Sequence, residues 1–343
     1  MVLKLASNQI EVSASYEAIN DLYLQKKWSD GLPVLPPTIE AVEKMLAGTG
    51  KNPQDVIAVV PPNMGEATVE KIAINAVMAG CLPDYLPVII TAVEAMCERQ
   101  LNLYGIQATT HPVSLLLIVN GPVAKKLEIN CRSGAFGPGW RANATIGRTI
   151  RLILMNIGGA FPGKTSMVTQ GQPSRYTYCV AENEEESPWQ PLHVERGFAP
   201  SESTVTVCAA ESPRNINEHA AVSGEEILTT IAGSVASMGS NNMISQRGEP
   251  ILALGPEHAA TLSRSGFSKN EIRAFVHQKA RIPRASFHGR AIKQYFSQFK
   301  EDALIPITAN QEDIIVIVLG GAGKHSSFLP TFGDTRSVTR AIT

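Results

Sequence analysis

The chain is short of the features that usually announce a function. It has no charge bias: 30 Lys and Arg against 31 Asp and Glu leave a net charge of -1. That gives no reason to expect nucleic acid or an anionic membrane as a partner. Its five cysteines (Cys81, Cys97, Cys131, Cys179 and Cys208) are odd in number and never stand as Cys-x-x-Cys. Neither a disulfide framework nor a thiolate zinc site is expected from them. The seven histidines contain no His-x-x-x-His or His-Glu-x-x-His pair, so no helical zinc site is predicted and no metal ligand is assigned. No run reaches the roughly 18 apolar residues of a membrane helix, and the first twenty residues lack the apolar stretch of a signal peptide. Together these absences predict a soluble, reduced, cytoplasmic protein that binds neither membrane nor nucleic acid.

What is present is globular. The 343 residues are 44% hydrophobic and 18% charged, long for one core and somewhat apolar at the surface. Two domains or one large α/β unit are the expected outcomes, assembled as a homo- or hetero-oligomer. Periodicity and turn residues divide the chain into a helical, proline-rich arm (1–50), a first α/β half (51–160), an irregular excursion (161–202) and a second α/β half (203–343). Strands are predicted over 56–60, 114–119, 203–209 and 250–254, with a last one in "DIIVIVLGG". Helices are predicted over 14–27, 39–47, 68–79, 84–98, 145–157, 225–238, 256–263, 269–279 and 289–299.

An internal duplication fits this order. Strand 114–119 ends in Gly121-Pro122 and is followed by Arg132-Ser133-Gly134; strand 250–254 ends in Gly255-Pro256 and is followed by Arg264-Ser265-Gly266. Each is preceded by a strand, 56–60 or 203–209, and a small-residue helix. The predicted fold is therefore α/β: two similar halves with mostly parallel sheets and a cleft between them, where ligands tend to bind. The first half carries "AFGPGWRANATIG" where the second has only "FSKNE".

That loop reads as an anion cradle. Gly137 and Gly139 let backbone amides approach a ligand, Asn143 or Thr145 caps the next helix, and Arg141 and Arg148 offer forks to a carboxylate or phosphate. The competing reading is a tight turn, with Arg148 paired to a surface acid and Trp140 in the core. A second glycine loop, "LGGAGKHSSF", places Gly321, Gly323, Lys324 and Ser326 after an apolar strand, although its spacing is not that of a Walker A loop. His111 and His325 sit in loops beside predicted buried strands and are the preferred general acid/base residues. Glu184, in the acidic run "AENEEESPW", is the candidate carboxylate, against a plain solvated loop. Cys131 is a candidate nucleophile against the commoner buried thiol.

The stretches "WSDGLPVLPPT", "GEATVEKIAINAVMAGCLPDYLPV", "QATTHP", "IVNGP", "GPGWRANATIGR", "AENEEESPW" and "GGAGKHSS…PTFG…SVTR", in that order, resemble the large region of the UGSC family of (seleno)proteins over residues 28–342. Members of that family are named for a separate small redox region with a Sec/Cys-Gly-Ser-Cys motif. No Cys-Gly-Ser-Cys occurs here, so the resemblance implies a small redox-motif partner subunit. Cys131 stands where the resemblance would place a serine or similar residue.

Three functions follow as expectations. One is the substrate-binding subunit of a heteromeric enzyme that cleaves or forms a C–heteroatom bond in a small anionic metabolite, with a partner's thiol or selenol. The second is a self-sufficient hydrolase, hydratase or lyase dependent on a metal or on His and Glu. The third is a non-catalytic scaffold. No cofactor is named by the sequence.

Overall fold

The computed structural model describes residues 5–343. It opens with α1 (Tyr16–Gln25) and α2 (Ile39–Leu46), whose first turns are closed by Ser15 and Thr38 accepting from the amides of Ala18 and Ala41. An antiparallel hairpin, β1 (Val56–Val60) and β2 (Gly65–Thr68), comes next. Helix α3 (Val69–Ala79) is capped by Thr68 and stopped by Gly80 at φ +93°. Helices α4 (Leu86–Met96) and α5 (Leu103–Ala108) lead into β3 (Ser114–Asn120), then α6 (Pro122–Lys126) and α7 (Arg141–Asn156). Next are β4 (Cys179–Ala181), α8 (Leu192–Glu195), β5 (Thr204–Ala210) and β6 (Arg214–Asn217). Helices α9 (Gly224–Val235) and α10 (Asn241–Ser245) precede β7 (Ile251–Leu254), α11 (Pro256–Arg264) and α12 (Lys269–Lys279). The chain ends through β8 (Arg281–Pro283), α13 (Gly289–Tyr295), β9 (Leu304–Pro306), β10 (Ile315–Val318), β11 (His325–Leu329) and β12 (Val338–Ala341).

Two four-stranded sheets carry the fold, in the orders β12-β5-β3-β4 and β10-β7-β11-β6. Side chains alternate across each strand. On β3, Leu115, Leu117 and Val119 join the helices α3, α4 and α7 in one core, while Leu116 and Ile118 face the other way. On the second sheet, Leu252, Leu254, Val316, Val318 and Phe328 pack with α9, α11 and α12. The opposite faces of the two sheets meet: Leu116, Ile118 and Cys208 share a buried cluster with Ile251, Ala253, Ile315, Ile317 and Leu329. The result is a four-layer α/β/β/α stack, each sheet apolar on both faces.

The α/β class agrees with the sequence; the strand directions do not. Each sheet is mixed, with one parallel pair (β3–β4, β7–β10) and antiparallel pairs elsewhere. The expectation of mostly parallel sheets is corrected here. Parallel neighbours need a long crossover. The β3–β4 connection carries α6 and α7 and the β7–β10 connection carries α11, α12 and α13, whereas the β10–β11 link, 319–324, is too short for a helix. Both sheets show the same succession of directions. Read as β12-β5-β3-β4 and β6-β11-β7-β10, each runs antiparallel, antiparallel, parallel. Strand β6 follows β5 in the chain but pairs with β11, and β12 follows β11 but pairs with β5. The predicted equivalence of 56–60 with 203–209 fails: β1 lies in its own hairpin, whereas β5 is central to a large sheet. The irregular stretch 161–202 supplies β4, and the short strands β2, β6, β8, β9, β11 and β12 had no sequence counterpart.

Candidate functional site

The two glycine loops singled out in the sequence meet. Residues 133–137 and 319–323, together with Ala253, His325, Ser326 and Ser327, line a cavity of about 290 Å³. The loops touch closely enough that a Cβ on Gly321 would lie 2.8–3.0 Å from Ser133. Gly320 donates to the Cys131 carbonyl (2.9 Å), tying the second loop to the chain just before the first, and Asn183 Nδ2, after β4, donates to the Gly320 carbonyl (3.2 Å). The Gly323 amide donates to Glu257 (2.8 Å). Between these anchors the amides of Gly321 and Ala322 have no protein acceptor among the described residues. Unengaged amides on a glycine-rich turn suit an anionic or carbonyl oxygen.

His325 begins β11, is exposed, and lines the cavity. Its Nδ1 lies 3.0 Å from Asn215 Oδ1, and its Nε2 lies 3.1 Å from Nε2 of His219. An amide oxygen only accepts, so His325 donates from Nδ1 to Asn215, which fixes the ring with Nε2 against His219. Two contacts hold the His219 loop against β11: Lys324 Nζ donates to the His219 carbonyl (2.9 Å), and the Glu218 amide donates to the Lys324 carbonyl (3.3 Å). The two imidazoles are therefore in direct hydrogen-bond contact beside the cavity. Nothing in the sequence marked His219, which comes from a loop 106 residues away.

Ser326 also lines the cavity, but its hydroxyl is turned into the protein. It is buried, accepts from the Gly255 amide (3.1 Å) and meets His258 Nδ1 at 2.8 Å. His258 Nε2 lies 2.9 Å from the Glu218 carbonyl, so the neutral imidazole has both nitrogens satisfied. Burial pushes its pKa below the ordinary histidine value.

The remaining sequence candidates fall elsewhere. Gly137 lines the cavity, whereas Gly139 (φ +113°) stands in an open turn. Arg141 spends its guanidinium on the Gly80 carbonyl (3.0 and 2.9 Å). Arg148 forks onto Asp30 (2.9 Å twice) and reaches the Leu32 and Pro33 carbonyls, clasping the proline-rich arm to α7. Its partner Asp30 is almost wholly buried, and Trp140, expected in the core on the competing reading, is 43% exposed. Asn143 and Thr145 cap nothing. Helix α7 starts at Arg141, and Asn143 bonds the backbone of Asn130 through both ends of its amide (2.7 and 2.9 Å). His111 pairs with Glu211 (3.0 Å) and stacks on Phe332. Burial opposes ionisation of Glu211, but hydrogen bonds from His111 and Arg214 outweigh it and hold its carboxyl below the usual range. Glu184 accepts from Asn120 Nδ2 (2.9 Å) and the Gly121 amide (2.7 Å), closing the Gly-Pro turn after β3.

All five cysteines are free and buried or half-buried. Burial raises the pKa of Cys131 despite the neighbouring Arg132, and pushes Cys81 to about 11 and Cys97 and Cys208 to about 12. They are thiols, not thiolates, at neutral pH. Among the described residues no three His, Cys, Asp or Glu gather around one point, and no helix is long and apolar enough to cross a membrane. No family model, curated protein or solved structure matches the chain.

Proposed function

We propose that the protein is an enzyme, or the substrate-binding subunit of one, that acts by proton transfer on a small anionic metabolite held between the two glycine loops. The reaction class is lyase, hydratase or hydrolase. The observation that carries this reading is the His219–His325 pair, held by Asn215 at the rim of a glycine-lined cavity. The amides of Gly321 and Ala322 would take the substrate's negative oxygen, and His325, which lines the cavity, would take a proton from the substrate at Nε2 in place of its contact with His219. A thiol or selenol reagent would have to come from a second polypeptide, as the resemblance to the UGSC family implies, because burial keeps this chain's own thiols protonated.

The cavity also fits a two-half origin. We take the shared succession of strand directions as the trace of a duplicated unit whose last strands, β6 and β12, were exchanged. The cavity would then sit where the loop 133–137 of one unit overhangs the open end of the other.

Co-purification of the protein with its native partners, followed by metabolite mass spectrometry, identifies the ligand. His325→Gln is then expected to keep that ligand while lowering turnover by roughly 10²–10⁴-fold, the usual worth of a general acid/base. Gly321→Ala, whose new methyl meets Ser133, is expected to lose the ligand. Undiminished turnover in His325→Gln would remove the proposed mechanism. Ligand retained at wild-type occupancy in Gly321→Ala would move the site elsewhere.

A further inference from the structure

A second, much smaller cavity, about 20 Å³, is lined by Gln107, Ser114, Arg151, Ser174, Arg175 and Tyr178 among others, and shares no residue with the glycine-lined one. Its chemistry is one-sided. Arg151 on α7 donates to the Ala160 carbonyl (3.2 Å), and Arg175 donates to the Val113 carbonyl (2.9 Å) and Ser166 Oγ (3.0 Å). Neither guanidinium has a carboxylate partner among the described residues. The carboxylate that acts on Arg151 from a distance, Asp30, is already taken bidentately by Arg148. Buried cations elsewhere in the molecule are matched: Lys269 sits 2.9 Å from Glu195, and Arg273 reaches the same carboxylate at 3.0 Å.

Among the neutral groups lining the cavity, Gln107 adds an unpaired donor. Gln107 is 2% exposed, and its Nε2 is buried with no acceptor. The Ser114 and Tyr178 hydroxyls are committed to the Ser174 and Glu211 carbonyls. Two like charges, each half-buried, facing one cavity beside a buried, orphaned amide donor are costly unless something compensates them. Burial, together with the Arg175 charge, lowers the Arg151 pKa to about 10, which leaves it charged at neutral pH. A water molecule could meet the amide but not the charge. An acceptor-only, negatively charged group meets all three demands at once.

We infer that the cavity bounded by Arg151, Arg175 and Gln107 is an anion-binding site for a small oxyanion, either a free inorganic ion or the carboxylate head of a small molecule. Volume sets the size: about 20 Å³ exceeds what a single water needs but leaves no room for a ring or a long chain.

The test uses the full-length protein in formate, acetate, sulfate or phosphate, each against chloride at equal ionic strength, read by calorimetry and thermal unfolding. Saturable binding of at least one oxyanion with a rise in Tm is expected. Preference for formate and acetate identifies a carboxylate site, and preference for sulfate or phosphate an inorganic one. Arg175→Met is expected to weaken binding at least tenfold. Gln107→Leu removes only the orphaned donor; it is expected to weaken binding several-fold without lowering the anion-free Tm. Absence of saturable binding, or equal affinity in Gln107→Leu and the wild type, overturns the inference. Should Arg175→Met fail to fold, crystals soaked in selenate decide: anomalous density between Arg151 and Arg175 is required, and its absence at saturating selenate overturns the site.

Discussion

Alternation along β11 assigns each side chain a different task. Ser326 and Phe328 are buried on the helix side, while His325 and Ser327 remain accessible at the cavity. Ser326 is held by His258, and that contact gives a pH prediction. The His258 pKa is lowered in the folded protein, so the unfolded chain binds a proton more readily. The sign follows: stability is unaffected above the unfolded value of about 6.5, falls as pH drops through it, and levels off below the folded pKa. Thermal unfolding between pH 8 and pH 5 should show this acid limb in the wild type and a shallower one in His258→Gln; identical limbs would sink the assignment. Histidine roles were only partly legible beforehand. His111 and His325 occupy similar sequence positions, each in a loop beside a strand, yet one is packed on Phe332 and Glu211 and the other faces a cavity. Local sequence does not encode what lies across the fold. For the same reason His219, Arg151 and Arg175 gave no signal, and Arg141 and Arg148 gave a misleading one.

At the level of elements, the repeated Gly-Pro turns have a steric cause. A Cβ on Gly121 would stand 2.2 Å from the Glu202 carbonyl oxygen, just before β5, and one on Gly255 would stand 2.1 Å from that of His325, the first residue of β11. In each sheet the central strand therefore ends against the backbone of its antiparallel neighbour, and only glycine allows that approach. Proline then starts the following helix, where its missing amide costs nothing. Gly255→Ala is expected to destabilise by about 3 kcal/mol, the upper end for overpacking, since backbone rather than a movable side chain must yield. Gly233 sits inside α9 with nothing within 4 Å of a new Cβ, so Gly233→Ala should stabilise by about 0.5–1 kcal/mol. Urea unfolding of the two variants checks both signs. The turns were readable because composition and spacing recorded them. The short strands were not: β4 is three residues and β6 is four, too little for a period to show.

Across the whole molecule, the pairing of β6 with β11 and of β12 with β5 makes each sheet depend on chain that follows the other. Strand β12 covers the edge of β5 through the pairs Val338–Val207 and Ala341–Thr204. It is fastened by Arg196 to Thr339 (2.8 Å) and by Arg340 to Glu98 (2.6 Å). A sequence reading that assigns contiguous halves misses this, because the direction and partner of a terminal strand are set by which edge is left open rather than by its own residues. The consequence is cooperative. Removing residues 337–343 strips the edge of the first sheet, although every deleted residue follows β11 of the second. Val205 and Val207, wholly buried in the intact fold, would then flank an unpaired strand edge, a template for association. The truncated chain is expected to unfold at lower urea and to scatter light in a concentration-dependent way. The intact chain should unfold in one transition seen alike by fluorescence and circular dichroism. Separate transitions for the two sheets in the intact protein would show that β6 and β12 do not couple them.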